Sequence, residues 1–134
     1  MLALHLPLPY TLDDPHEQGG LLFGPPREVR ACTGPLPGDD RGTHHLTMLD
    51  PGHEAAADAA ALRGWGYLGY WHSHPAGTPP GPSEVDLTDW RAALDTTGAA
   101  ELYFPIVTGG VLRVWRAVPG EPPEEVPWTR PSSP

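Results

Sequence analysis

This 134-residue sequence predicts a mixed α/β (α+β) fold, with strands and helices arranged around one mixed sheet. Three observations predict it. "YLGYWHSH" carries apolar residues on both faces and reads as a central strand. "DPGHEAAADAAALRGWG" and "SEVDLTDWRAALDTTG" each begin with an N-cap residue and end near a glycine, as helices do. "ELYFPIVTGGVLRVWRAV" reads as two strands turning at Gly109-Gly110. The length suits one domain with a modest core.

Taken in order, "LALHLPL" alternates and is expected to form a short edge strand, ended by Pro7 and Pro9. "TLDDPHEQ" offers Thr11, Asp13 and Asp14 as capping residues for a short helix or turn. "GGLLFG", Gly19 to Gly24, reads as a buried strand whose glycines admit a close backbone. "REVRACTG" follows as its hairpin partner, with Val29 and Ala31 on one face. "PLPGDDRGTHH" is a loop and "HLTML" a short strand. The first helix has Asp50 as N-cap, Pro51 in its first turn and Gly64 at its end. The second buries Leu87, Trp90, Ala93 and Leu94 and ends at Gly98. Residues 1–118 are expected to form the domain. Residues 119–134, "PGEPPEEVPWTRPSSP", are expected to be a mobile, acidic, proline-rich tail.

The formal charge is −9, and all eight basic residues are scattered arginines. That pattern argues against nucleic-acid binding. With no lysine, no side chain can accept an isopeptide-linked modifier. Cys32 is the single cysteine, which fits a reducing compartment. The opening "MLALHLPLPY" has neither the basic start of a signal peptide nor the length of a membrane span. A cytoplasmic protein without membrane contact is expected.

The chemistry is concentrated in "YWHSHPAGTPPGPSEVDLTDW", Tyr70 to Trp90. Residues two apart diverge on a helix but share a face on a strand. His72 and His74 therefore aim both imidazoles at one point. Two neutral imidazoles suit a divalent ion such as zinc, and Asp86, opening the next helix, would supply a third ligand. Three protein ligands leave a position for water, the catalytic rather than the structural pattern. Ser83-Glu84-Val85-Asp86 also reads as a capping box. Ser73 points to the other strand face and is read as structural. His16, His44, His45 and His53 are read as non-ligands, Cys32 as a half-buried strand residue, and Trp71 and Trp90 as core. Trp65 and Tyr67 are weaker candidates for a substrate groove.

"HSHPAGTPPGPSEVD" resembles the H-S/T-H-P…S-x-x-D signature of the JAMM, or MPN+, zinc metalloproteases, also known for their JAB domain. "HEQGGLLFG" resembles the family's upstream glutamate and the strand after it, with Glu17 seven positions before Gly24. The likeness runs from about Pro15 to Val118. It implies a curved mixed sheet flanked by helices, cytidine deaminase-like, and one zinc ion per chain held by His72, His74 and Asp86. It also implies Glu17 as general base and Ser83 as hydrogen-bond donor to the oxyanion. Three departures stand out. Eleven residues separate His74 from Asp86 where the family pattern has ten. The helix that usually precedes the glutamate looks truncated, and the long insertions of some eukaryotic members are absent.

The resemblance implies a metallopeptidase or isopeptidase. Its expected partner and substrate is the Gly-Gly tail of a ubiquitin-like, sulfur-carrier-like β-grasp protein or its conjugates. The alternative is a catalytically silent scaffold, although such relatives typically lack a ligand that this chain keeps. Neither the H-x-E…P-C-x-x-C pattern of deaminases nor an H-E-x-x-H motif occurs.

Overall fold

The computed structural model describes residues 1–131. In chain order the elements are β1 (Leu2–Leu4), β2 (Gly19–Gly24), β3 (Glu28–Val29), β4 (Ala31–Cys32), β5 (Asp40–Arg41) and β6 (Leu46–Thr47). They continue with α1 (Pro51–Leu62), β7 (Gly66–His74), α2 (Glu84–Thr97), β8 (Leu102–Thr108), β9 (Val111–Ala117), β10 (Glu124–Val126) and β11 (Trp128–Thr129).

β7 is central, as its two-sided apolar pattern predicts. The main sheet has six strands in the order β10-β9-β8-β7-β2-β4. β7 runs antiparallel to β2 and parallel to β8, so the sheet is mixed. A parallel pair needs a long crossover, and α2 provides it between β7 and β8. Midway, the β2–β7 register shifts between Leu22 and Phe23, opposite Gly69. Gly69 has φ of +135°, and a Cβ there would collide with the Tyr103 carbonyl of β8. This bulge puts Leu68 and Trp71 against the same core cluster despite their odd spacing.

That cluster joins Leu2, Leu4, Leu22, Val29, Trp71 and Val114. A second one joins Trp90 and Leu94 of α2 to Leu102, Phe104, Ile106 and Trp115 of the sheet. The Trp90 and Phe104 rings stack with centroids 4.6 Å apart and planes within 4°. Both are fully buried, so this contact fixes α2, and with it the helix start that carries Asp86. Caps agree with the sequence. Asp50 accepts from the Gly52 N–H, Pro51 opens α1, and Gly98 closes α2 in the left-handed conformation.

Four expectations need correction. The first strand is not at an edge, because β1 lies between β11 and β3 in a separate three-stranded parallel sheet. The hairpin partner of β2 is divided. Ala31–Cys32 pair with β2, while Glu28–Val29 cross to β1 and bury Val29 among its leucines. The 35–45 loop contains β5, which pairs with β6. Finally, the segment after 118 is not a free tail. β10 pairs with β9, β11 pairs with β1, and Val126 and Trp128 pack on the first core cluster. Proline-rich composition hid two apolar residues at strand spacing. Residues 132–134 lie outside the described residues. Residues 11–17 form a turn without a helix. Among the described residues no helix is long and apolar enough to cross a membrane.

Candidate metal centre

β7 ends in His72-Ser73-His74, and the pleat sends the two imidazoles to the same side. Their Nε2 atoms lie 3.1 Å apart. α2 then brings its first turn back to the strand end. Asp86 Oδ1 is 3.1 Å from His72 Nε2, and Oδ2 is 3.0 Å from His74 Nε2. One ligand atom from each residue thus converges on a single point, and all three side chains are largely sheltered from solvent.

A triangle of this size matches, within a few tenths of an ångström, neighbouring ligands around a zinc ion bound at about 2.0–2.2 Å. Both imidazoles meet at this point through their Nε2 atoms. Each Nδ1 is buried without a hydrogen-bond partner among the described residues. The donor set, two imidazoles and one carboxylate, has the chemistry of a zinc site with an open position. The residues present therefore fit the metal that the sequence implies.

The two readings of Ser83-x-x-Asp86 are both realised. Asp86 N–H donates to Ser83 Oγ at 3.1 Å, and Ser83 N–H donates to Asp86 Oδ2 at 2.9 Å. The carboxylate that closes the capping box is the one facing the histidines. Burial disfavours its charge. The imidazoles of His72 and His74 and the Ser83 amide outweigh burial and hold its carboxyl far below the usual range. In turn the Asp86 hydrogen bond raises the His74 imidazole, against the opposing effect of burial. Ser83 accepts in the cap, so its own O–H remains a donor.

Glu17 is outside the ligand group but beside it. It sits just ahead of β2 and, with Tyr10, Leu12, His16, His74 and Gly109, lines a cavity of about 240 Å³. Half-burial raises its carboxyl above the usual range, while His72 and His74 pull it down and Asp86 pushes it up. A carboxylate that feels all three ligands without joining them is suited to handling protons.

The remaining residues divide clearly. Ser73 faces away from the imidazoles and accepts the Gln18 N–H at 2.8 Å. His16, His44 and His45 are exposed, and none belongs to the ligand group. His53 is buried, bonded to Thr33 Oγ1 at 2.7 Å and to Asp39 at 2.8 Å, a structural link between α1 and the segment after β4. Cys32 is half-buried, and burial pushes its thiol up to about 11. Trp71 and Trp90 are core. Tyr67 packs edge-on against Phe23, and five residues of strand, roughly 17 Å, separate it from His72. Neither Tyr67 nor Trp65, which lies before β7 begins, lines the cavity beside the ligands. Sequence reasoning missed Gln18 and Arg41. Gln18 is buried beside Glu17, and Arg41 reaches the Glu17 carbonyl.

Comparison with known proteins agrees with this fold. Among solved structures, the chain is similar to the solution structure of protein DSY2949 from Desulfitobacterium hafniense. The TM-score is 0.67 at 22% identity, covering 99% of this chain and 94% of the other. At that identity the likeness speaks for the fold. No curated protein matches the chain. The family model of prokaryotic homologs of the JAB domain matches residues 10–125, a span that holds Glu17, both histidines, Ser83 and Asp86. The chain belongs to the prokaryotic homologs of the JAB domain.

Proposed function

We propose that the chain is a zinc-dependent metallopeptidase or isopeptidase that cuts after the C-terminal Gly-Gly tail of a ubiquitin-like, sulfur-carrier-like protein. The family includes zinc isopeptidases, and the chain carries a His-His-Asp group compatible with a metal. The observation carrying the proposal is the convergence of His72, His74 and Asp86 next to a cavity lined by a partly buried glutamate.

His72, His74 and Asp86 would hold the ion. A bound zinc ion supplies Lewis acidity, polarising the scissile carbonyl and making water more acidic. Glu17 takes the proton from the attacking water and delivers it to the departing amine. Its raised affinity for a proton serves both halves of that transfer. Ser83 donates its hydroxyl to the carbonyl oxygen as negative charge develops there. Removing such a donor typically costs about 10²–10³ in rate. The small cavity lined by Glu17 and Gly109, about 240 Å³, would hold the glycine end of such a tail. A cytoplasmic setting, in which Cys32 stays a thiol, fits this reading.

The test is to incubate the purified chain with β-grasp proteins extended beyond their Gly-Gly, in parallel with Glu17→Ala. Cleavage at the Gly-Gly junction by the unmutated chain alone, with equal zinc in both, is expected. Zinc in both but no cleavage of any fusion would instead favour a silent, partner-binding module.

A further inference from the structure

Glu17 precedes the regular part of the sheet, whose β2–β7 pairing starts at Gly19 opposite His72. Something other than the sheet ladder must therefore set its place. Its N–H donates to the Gly42 carbonyl at 2.8 Å, and its carbonyl accepts from Arg41 Nη1 at 3.3 Å. Both partners belong to the short β5–β6 ribbon. The same Nη1 lies 2.7 Å from Asp14 Oδ2, and this pair is only about one-fifth exposed on each side. Asp14 also accepts the His16 N–H, closing the turn that leads into Glu17.

The far side of Glu17 is fixed by different groups. Gln18 donates its N–H to Ser73 Oγ and accepts the Ser73 N–H on its carbonyl, both at 2.8 Å. Ser73 stands between the two histidines, so Gln18 is tied directly to the ligand strand. The Gln18 side chain also grips the Thr11 backbone, at 2.9 and 2.7 Å. The ribbon is itself anchored, because the Leu46 side chain fills the place where a Cβ on Gly19 would stand.

We propose that Arg41 is a positioning residue for Glu17. One guanidinium nitrogen holds the turn at Asp14 and at the Glu17 carbonyl, and so sets the carboxylate against the metal ligands. The proposal rests on Glu17 being the base. Proton transfer requires an approach of about 2.6–3.2 Å, and a 1 Å displacement can cost about a hundredfold in rate. Without Arg41, only the Gly42 bond holds Glu17 ahead of the Gln18–Ser73 anchor, and that bond opens more often as the turn swings.

The test uses the whole chain with Arg41→Met, which keeps the stem and removes the donors. Arg41→Lys retains a cation, and Arg27→Met removes an arginine pair remote from the site. Amide hydrogen exchange should rise on the order of tenfold at Glu17 in Arg41→Met and stay unchanged at Gln18. Zinc content should stay at the unmutated level. On a cleaved Gly-Gly fusion, kcat should fall about tenfold to a hundredfold with KM little changed. Arg41→Lys should recover part of both losses, and if Arg41→Met does not fold, it carries the test alone, with smaller changes of the same kind. Arg27→Met should show neither loss. Unchanged exchange at Glu17, or equal loosening of Glu17 and Gln18, would overturn the proposal. If the unmutated chain cleaves no fusion, the proposed function fails, and the contrast between Glu17 and Gln18 still decides whether Arg41 holds the turn.

Discussion

Ser83 and Asp86 exchange two hydrogen bonds across the first turn of α2, and the carboxylate fixed this way is the one that meets both histidines. The helix cap and the third ligand are one structure. In the proposed mechanism Ser83 caps α2 and also donates to the oxyanion, two duties that substitution can separate. Ser83→Gly should cost only a few tenths of a kcal/mol in stability, since glycine is tolerated at an N-cap, whereas Ser83→Ala should cost about 1 kcal/mol. Both should lower kcat by about 10²–10³, because both lack the hydroxyl. Urea unfolding and steady-state cleavage of a Gly-Gly fusion, run side by side, check the separation.

The Trp90–Phe104 stack holds α2 to the sheet, so its loss should reach the metal. Trp90→Ala is expected to destabilise by about 3–5 kcal/mol and to weaken zinc binding, although Trp90 is no ligand. Denaturant unfolding with and without a chelator measures both effects. Unchanged zinc affinity would mean that Asp86 is held without the core beneath it.

Glu101 makes a pH-dependent contribution away from the site. Burial opposes its charge, but Arg27, Arg116 and Tyr103 hydrogen-bond to its carboxylate and bring it down to about 2. A carboxyl depressed in the folded state stabilises fully above its ordinary value of 4.5 and loses that contribution as pH falls toward about 2. Glu101→Gln should therefore be less stable than the unmutated chain at neutral pH, with the gap closing below about pH 3. Unfolding midpoints at both pH values test this, and a pH-independent gap would assign the effect to hydrogen bonding alone.

With its thiol pushed up to about 11, Cys32 should react slowly with a thiol reagent in the folded protein and rapidly after unfolding. Fast modification of the folded chain would show that β4 opens.

The site was largely legible because its geometry is local. Two histidines at strand spacing, ahead of S-x-x-D at a helix start, fix three side chains within fifteen residues, His72 to Asp86. Burial of β7 on both faces was equally plain from Tyr70 and Trp71. What could not be read were pairings between distant short segments. β1 meets β11 across most of the chain, and two-residue strands carry no periodicity that would announce a partner. Arg41 was invisible for a related reason. It reaches the Asp14 carboxylate and the Glu17 carbonyl from a distant stretch of chain, and no local spacing of residues marks such a contact.

The central claim is that two imidazoles and one carboxylate grip a single divalent ion, and metal analysis of the purified chain tests it most directly. About one zinc per chain is expected in the unmutated protein and in Glu17→Ala, with little left in His74→Ala. A folded, zinc-equilibrated chain that retains no metal, or a His74→Ala variant that retains as much as its parent, would contradict it.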